Sequence, residues 1–255
     1  MNLEGKSAVI TGGGRGIGAE VARYLHRSGA QVLVSARSQD QIEAVAQELG
    51  GATKGAFAFQ CDVTKPESIA ALAEFARTNL GQVDILVNNA GVASSAPIRS
   101  LDLNEWERLH RINATGPFLC TKEFFEGMTS RGWGRIINIA SIAGVSGAAY
   151  IAGYAASKHA LVGFTRCLAA EGVRHGVTAN AICPGYVDTK MTTDTVERIV
   201  AKTGLSEEKA MASVVKMNPQ GRLIQPAEVA HAVLMLCDEN AAGINGQTLV
   251  IDGGA

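Results

Sequence analysis

The 255-residue sequence predicts an α/β fold: a single doubly wound, seven-stranded parallel sheet with helices on both faces. Three observations carry that expectation. Short, nearly continuous runs of Val, Ile, Leu and Ala recur along the chain, as strands buried on both faces require. Longer stretches of helical periodicity separate them, giving a βαβα alternation. No internal repeat, low-complexity tract or linker interrupts the order, so residues 1–255 are expected to form one domain.

The first strand, 7–11, runs into a glycine-rich turn and then a helix over 17–28, with Val21, Tyr24 and Leu25 spaced along its buried side. A second strand at 31–35 precedes a helix over 39–49, and a third at 56–61 precedes a helix over 66–80. The fourth, 85–88, leads to one long helix over 103–128; the fifth, 135–139, leads to a helix over 155–174. Strand six covers 178–183, and a helix over 226–237 returns the chain to strand seven at 248–251. Residues 186–223 break the rhythm: they are polar, contain Met and are only weakly periodic, and they read as a lid. In such sheets ligands bind outside the carboxyl ends of the strands.

Charge balance narrows the function classes. Lys and Arg total 23 against 24 for Asp and Glu, which leaves no net field to hold nucleic acid or an acidic membrane surface. The segment Met1-Asn2-Leu3-Glu4-Gly5-Lys6 has no signal-peptide order, and no apolar run approaches the roughly 20 residues of a membrane helix, so the cytoplasm is the expected location. Cys61, Cys120, Cys167, Cys183 and Cys237 are widely spaced with apolar flanks and are expected to be buried thiols in a reducing compartment. Neither they nor His26, His110, His159, His175 and His231 have metal-ligand spacing, so no metal is expected.

After the first strand come Gly12, Gly14, Arg15, Gly16, Ile17 and Gly18, opening directly into the amphipathic helix. Glycines there let the backbone turn tightly and approach a pyrophosphate, whose charge then faces the free N–H groups of a helix N-terminus. The spacing is Gly-x-x-x-Gly-x-Gly rather than Gly-x-Gly-x-x-Gly. Sites for NAD normally end the second strand in Asp or Glu, but here that strand ends Val34-Ser35-Ala36-Arg37. An arginine in that place suits a 2′-phosphate, and Arg15 can reach the same group, so NADP(H) is the expected cofactor.

Tyr154 and Lys158 lie four apart and share a helix face. A phenol is a poor base at neutral pH, and the neighbouring ammonium is expected to favour phenolate and lower its pKa. Ser141, just beyond the fifth strand, can hydrogen-bond a substrate carbonyl at the sheet edge.

Together these residues resemble the short-chain dehydrogenase/reductase family over essentially the whole chain. The likeness rests on the glycine turn, Cys61-Asp62-Val63, Asn88-Asn89-Ala90-Gly91, Asn113, Ser141, Tyr154 with Lys158, and Pro184-Gly185-Tyr186-Val187-Asp188-Thr189. The resemblance implies a Rossmann-type oxidoreductase in which Tyr154 exchanges a proton with the substrate oxygen and Ser141 positions that oxygen. It further implies that Lys158 binds the nicotinamide ribose and Asn113 anchors a water in a proton relay. By the same resemblance Asp62 and Val63 border the adenine, Asn89, Ala90 and Gly91 line the cofactor floor, Val187 with Thr189 holds the carboxamide, and Pro184 and Gly185 also bind the cofactor.

The stretch 200–209 resembles 3-hydroxybutyrate dehydrogenases, and 222–230 resembles 3-ketoacyl reductases, which makes a 3-oxoacyl or 3-hydroxyacyl group the expected substrate, with an acyl thioester among its forms. Arg131 and Arg174 match positions where ketoacyl reductases meet an acidic carrier. A homotetramer is implied, packed through the helices 103–128 and 155–174, where Ala155, Ala156, Ala160, Gly163 and Ala170 permit close approach. Three other readings are an NAD-dependent dehydrogenase of a small hydroxy acid, a cofactor-binding regulator without turnover, and a methyltransferase with a similar first turn. The set Ser141, Tyr154 and Lys158 has no purpose in the last two.

Overall fold

A computed structural model describes residues 1–254. Seven strands, β1 (Ser7–Thr11), β2 (Gln31–Ala36), β3 (Ala56–Gln60), β4 (Ile85–Asn88), β5 (Gly134–Ile139), β6 (Val177–Pro184) and β7 (Thr248–Ile251), form one sheet in the order β3-β2-β1-β4-β5-β6-β7. Every pairing is parallel. Helices α1 (Gly16–Arg27), α2 (Gln39–Glu48), α3 (Pro66–Leu80), α4 (Leu103–His110), α5 (Gly116–Arg131), α6 (Ala152–Gly172) and α9 (Pro226–Cys237) connect the strands, while α7 (Lys190–Thr203) and α8 (Glu207–Val215) follow β6.

Alternation of side chains along each strand divides the core into two layers. Ala8, Ile10, Ile85 and Val87 join the layer that holds Val21, Leu25 and Val233, whereas Val9 and Leu86 join Leu72, Cys120 and Phe124 on the opposite face. Both faces are dry, which is why the sequence carries continuous apolar runs and not alternating ones. One polar ladder crosses this interior. Asn88 donates to Asn138 at 2.9 Å and Thr121 at 3.2 Å, and Asn138 donates to Thr165 at 2.8 Å, so β4, β5, α5 and α6 are tied at a level just below the strand ends.

Where the structure departs from the sequence reading, local chemistry explains it. The expected helix over 103–128 is interrupted by a π turn at Arg111–Thr115 and then runs on to Arg131 as α5. Pro117 has no N–H, so the carbonyl of Asn113 loses the donor that an α-helix would place four residues on. Gly116 packs so closely that a Cβ there would lie 3.0 Å from the Val63 carbonyl. Helix α6 begins at Ala152, earlier than expected, which puts Tyr154 in its first turn. The weakly periodic stretch 186–223 holds two helices, α7 and α8, whose Val196, Ala210 and Val214 make a small cluster of their own with Tyr186 and Leu223. Of the five thiols expected to be buried, Cys167 is exposed, because α6 turns that position away from the sheet. Among the described residues no helix is long and apolar enough to cross a membrane.

Candidate active site

The strand order reverses between β1 and β4, and the chain is pinned at that seam by side chains. The Thr11 hydroxyl accepts the N–H groups of Asn89 and Ala90, each at 3.1 Å. The Asn89 amide returns two bonds at 3.0 Å to the carbonyls of Thr11 and Gly12. These contacts hold the glycine turn against the loop after β4. Gly12 and Gly16 have φ of +65° and +53°, conformations that a side chain disfavours. A Cβ on Gly14 would come within 2.9 Å of Gln41, and one on Gly18 would overlap the Asn89 amide and the Gly12 carbonyl. Gly18 therefore packs behind the turn, where its role is close approach.

Above the turn lies a cleft of about 430 Å³ bordered by Gly12, Gly14, Arg15, Gly16, Ile17 and Arg37. Asp62 and Val63 line its far wall, with Asn89, Ala90 and Gly91 along the floor. The first turn of α1 carries no acidic residue, and its N-cap, Arg15, supplies no side-chain cap, so the helix presents free N–H groups and partial positive charge to the cleft. Burial works against the charge on Asp62, but bonds from the Thr64 N–H at 3.0 Å and hydroxyl at 2.8 Å, with the charges of Arg37 and Lys65, hold its carboxyl below the ordinary value. A tight backbone cradle, an uncapped helix N-terminus and two exposed arginines fit a phosphorylated dinucleotide.

A second cleft, about 390 Å³, continues from the first through Ile17, Asn89, Gly91, Val92, Thr189 and Met191. Ser141, Tyr154 and Lys158 line it, together with Pro184, Gly185 and Val187. Ser141, two residues past β5, lies beside the Tyr154 phenol, whose pKa its hydroxyl lowers, and accepts the Ala143 N–H at 3.1 Å. Lys158 is 4% exposed, and its ammonium donates to the Ile139 carbonyl at 2.9 Å. Burial pushes Lys158 down to about 8. Burial also raises the Tyr154 phenol, opposed by the Ser141 hydrogen bond. The sequence-based expectation of a lowered phenol is therefore reversed in the free protein: desolvation dominates, and the ammonium is directed at a backbone carbonyl.

Asn113 lies in the π turn, fully buried, and lines neither cleft. Its amide clamps the backbone of Val92 in both directions, accepting the N–H and donating to the carbonyl, each at 2.9 Å. The same amide donates to Ser157 at 3.0 Å, and the Ser157 hydroxyl donates to the Tyr154 carbonyl at 2.7 Å. Gly91 makes room for this set, because a Cβ there would sit 3.3 Å from the Asn113 oxygen and 3.4 Å from the Lys158 ammonium. Four residues before Tyr154, Tyr150 holds the left-handed φ of +72°, and its carbonyl accepts the Ala96 N–H at 2.8 Å.

Thr11, Ser157 and Asn218 were not anticipated from sequence. Asn218 is buried just beyond α8, accepting the Tyr186 N–H at 3.0 Å and donating to the Tyr186 carbonyl at 2.8 Å. Arg131 is exposed, and it donates to the Val83 carbonyl at 2.6 Å and lies 3.6 Å from Asp84. Arg174 is exposed.

This arrangement of fold and site has a known counterpart. Residues 6–199 match the family model of the short chain dehydrogenases, and the chain belongs to that family of oxidoreductases acting on CH–OH and carbonyl groups. It is 39% identical over 254 residues to the 3-oxoacyl-acyl-carrier-protein reductase FabG of Vibrio cholerae, covering 100% of this chain and 98% of the relative. It is 36% identical over 252 residues to a D-beta-hydroxybutyrate dehydrogenase of Rhizobium meliloti, covering 98% of each. Among solved structures, a tryptophan variant of actinorhodin polyketide ketoreductase with NADPH matches with a TM-score of 0.93 and 38% identity, covering 98% of this chain and 96% of that one.

The buried lysine has a measurable signature. Its pKa falls from 10.5 to about 8 on folding, so between those values the unfolded chain holds the proton and the folded chain does not, and stability rises with pH across that window. Below about pH 8 both states are protonated and the desolvation penalty is constant. Burial raises the Cys120 and Cys237 thiols to about 12, and they oppose this rise, so the lysine is read as a difference between two proteins in urea titrations without nucleotide: Lys158→Met should gain about 1–3 kcal/mol at pH 7, an advantage that shrinks between about pH 8 and 10.5. Parallel pH profiles for the two proteins would contradict the assignment.

Proposed function

We propose that the protein is an NADP(H)-dependent oxidoreductase that interconverts a 3-oxoacyl and a 3-hydroxyacyl group. The observation that carries this reading is the meeting of Ser141, Tyr154 and a buried Lys158 in one cleft that is continuous with the cleft over the glycine turn. Bound NADPH would supply the hydride, with its pyrophosphate at the α1 N-terminus and its 2′-phosphate near Arg15 and Arg37. Lys158 would hold the nicotinamide ribose, and Val187 and Thr189 the carboxamide. The FabG relative and the ketoreductase solved with NADPH support both cofactor and substrate class.

Proton transfer follows from the residues themselves. Ser141 and Tyr154 together hydrogen-bond the substrate oxygen and orient its carbonyl carbon toward the nicotinamide. Because burial raises its pKa, Tyr154 keeps its proton at neutral pH and is ready to donate it as negative charge grows on that oxygen. Asn113, through Ser157, fixes the backbone of Tyr154. In the oxidative direction Tyr154 removes the proton, which calls for a nearby positive charge to offset its desolvation. A reductive role therefore suits the free-state electrostatics better, and NAD-dependent oxidation of a small hydroxy acid is the alternative.

The same reading includes a cytoplasmic homotetramer. Leu103, Trp106 and Phe118 are exposed on α4 and α5, and Ala160, Gly163 and Cys167 are exposed on α6, which together offer an apolar face with small residues at its centre. Helices apolar on two sides are expected to be covered on both.

Tyr154→Phe is expected to leave NADPH affinity nearly intact, measured by nucleotide fluorescence, and to lower turnover of a 3-oxoacyl substrate by about 10²- to 10⁴-fold; retention of a tenth of the activity would sink the assignment. Arg37→Asp should lower kcat/KM with NADPH by about 10- to 100-fold and improve the ratio for NADH, since each charged contact contributes about 1.5–3 kcal/mol. Unchanged ratios would favour NAD. Gly163 has nothing within 4 Å of a built Cβ, so the subunit tolerates a side chain there; Gly163→Arg should give dimers or monomers by light scattering with the circular dichroism unchanged, and an intact tetramer would exclude this face.

A further inference from the structure

One cation in the catalytic cleft has no part in the proton-transfer set. Met191, Thr195 and Arg198 are spaced four and three residues apart on α7, so they share one face, and all three line the cleft that holds Ser141 and Tyr154. Four residues further on, Lys202 reaches across and donates to the Ser95 carbonyl at 3.0 Å. Ser95 belongs to the opposite wall. The face of α7 thus spans the mouth of the cleft, with Arg198 between the lining and the cross-cleft contact. Arg198 does not border the nucleotide cleft over the glycine turn, so a phosphate there is not its partner.

Its surroundings leave the guanidinium available. Arg198 is half-buried, and one nitrogen donates to the Thr195 hydroxyl at 2.8 Å, which in turn donates to the Met191 carbonyl at 2.9 Å. Among the described residues it forms no ion pair. Asp194, one turn earlier on α7, feels the Arg198 charge but pairs with Lys190 at 2.7 Å, and Glu105, beside Ser94 of the cleft lining, pairs with Arg108 at 2.6 Å. Asp252, the one carboxylate lining the cleft among the described residues, is buried and accepts the Gly254 N–H at 2.9 Å. Lys158 is held by the Ile139 carbonyl. Burial raises the Tyr186 phenol, and the Arg198 charge opposes that rise, so the guanidinium acts on a group that lines the same cleft. A half-desolvated arginine, fixed at one edge and lacking an anion, matches the forked geometry of a carboxylate.

We propose that Arg198 is the specificity-determining residue of the cleft and that it binds the carboxylate of a free oxo or hydroxy acid, in preference to a neutral ester or thioester. This rests on the assignment of Ser141 and Tyr154 to the reacting oxygen, and it selects the form in which the acyl group arrives. The Thr195 hydroxyl orients the guanidinium, and the rest of the lining, including Ile142, Met191 and Met217, accepts the short apolar body.

The test compares acetoacetate, its methyl ester and its N-acetylcysteamine thioester with NADPH. Wild type should prefer the acid by at least about tenfold in kcat/KM. Arg198→Met should cut kcat/KM for the acid by about 10- to 100-fold, the range for one lost charged contact, while changing the ester by less than about threefold, and Arg198→Lys should fall between. Equal use of acid and esters by wild type, or an equal loss on all of them in Arg198→Met, would overturn the proposal while leaving Tyr154 in its role. A second measurement does not depend on turnover: butyrate should bind the NADPH-loaded protein at least about tenfold more tightly than methyl butyrate, and this preference should vanish in Arg198→Met. If it does so while no oxo acid is reduced, Arg198 keeps its role and the assignment of the reaction fails. No preference for butyrate in wild type would remove Arg198 from recognition altogether.

Discussion

The hydrogen-bonded seam between β1 and β4 is the constraint on which the site depends. A doubly wound sheet must diverge where its strand order reverses, and divergence opens the crevice that makes such folds useful. It also separates the two halves of the binding surface. Thr11 and Asn89 close that gap with four bonds of 3.0–3.1 Å. Each such bond contributes only about 0.5–1.5 kcal/mol net, but a partner left unsatisfied in this part-buried seam costs about 1–3 kcal/mol, so the set holds as a unit. From it, contacts run through Val92 to Asn113, then Ser157, then the backbone of Tyr154. The glycine turn and Tyr154 are thus placed by one connected series of amides and hydroxyls.

The polar groups at the centre of the site are held in a medium that opposes their charges. Tyr154 is kept neutral by burial, and Lys158 is pushed toward neutrality by the same cause. Their arrangement is one that stability alone would not select, and the dry, well-packed strands beneath must offset its cost. The Asn88–Asn138–Thr165 ladder serves a related purpose, since it fixes β4, β5 and α6 relative to one another directly under the reacting groups.

Much of the fold was legible because parallel strands and their covering helices have distinct periodicities. All seven strands were readable as largely continuous apolar runs, with β1, β4 and β7 matching at both ends and the others displaced by one residue at one or both ends, as at Ala36 and Val177. The glycine turn, Arg37, Ser141, Tyr154 and Lys158, singled out by their order along the chain, line two adjoining clefts, because each follows a strand at the same edge of the parallel sheet. What escaped was set by contacts distant in sequence. The π turn could have been suspected from Gly116-Pro117 inside an otherwise helical pattern, but α7 and α8 could not, since their apolar residues pack on each other and leave a weak stripe. Thr11, Ser157 and Asn218 look like ordinary polar residues until the backbone groups they hold are known. The direction of the Tyr154 shift depended on how deeply it is buried, which spacing does not report.

The α7–α8 segment has a core of its own. Val196, Ala210 and Val214 pack apart from the two layers that flank the sheet. Replacements on the outer face of α7 and α8 therefore propagate little into the strands, and this annex can change its surface while the seam between β1 and β4 and the sheet beneath keep their packing.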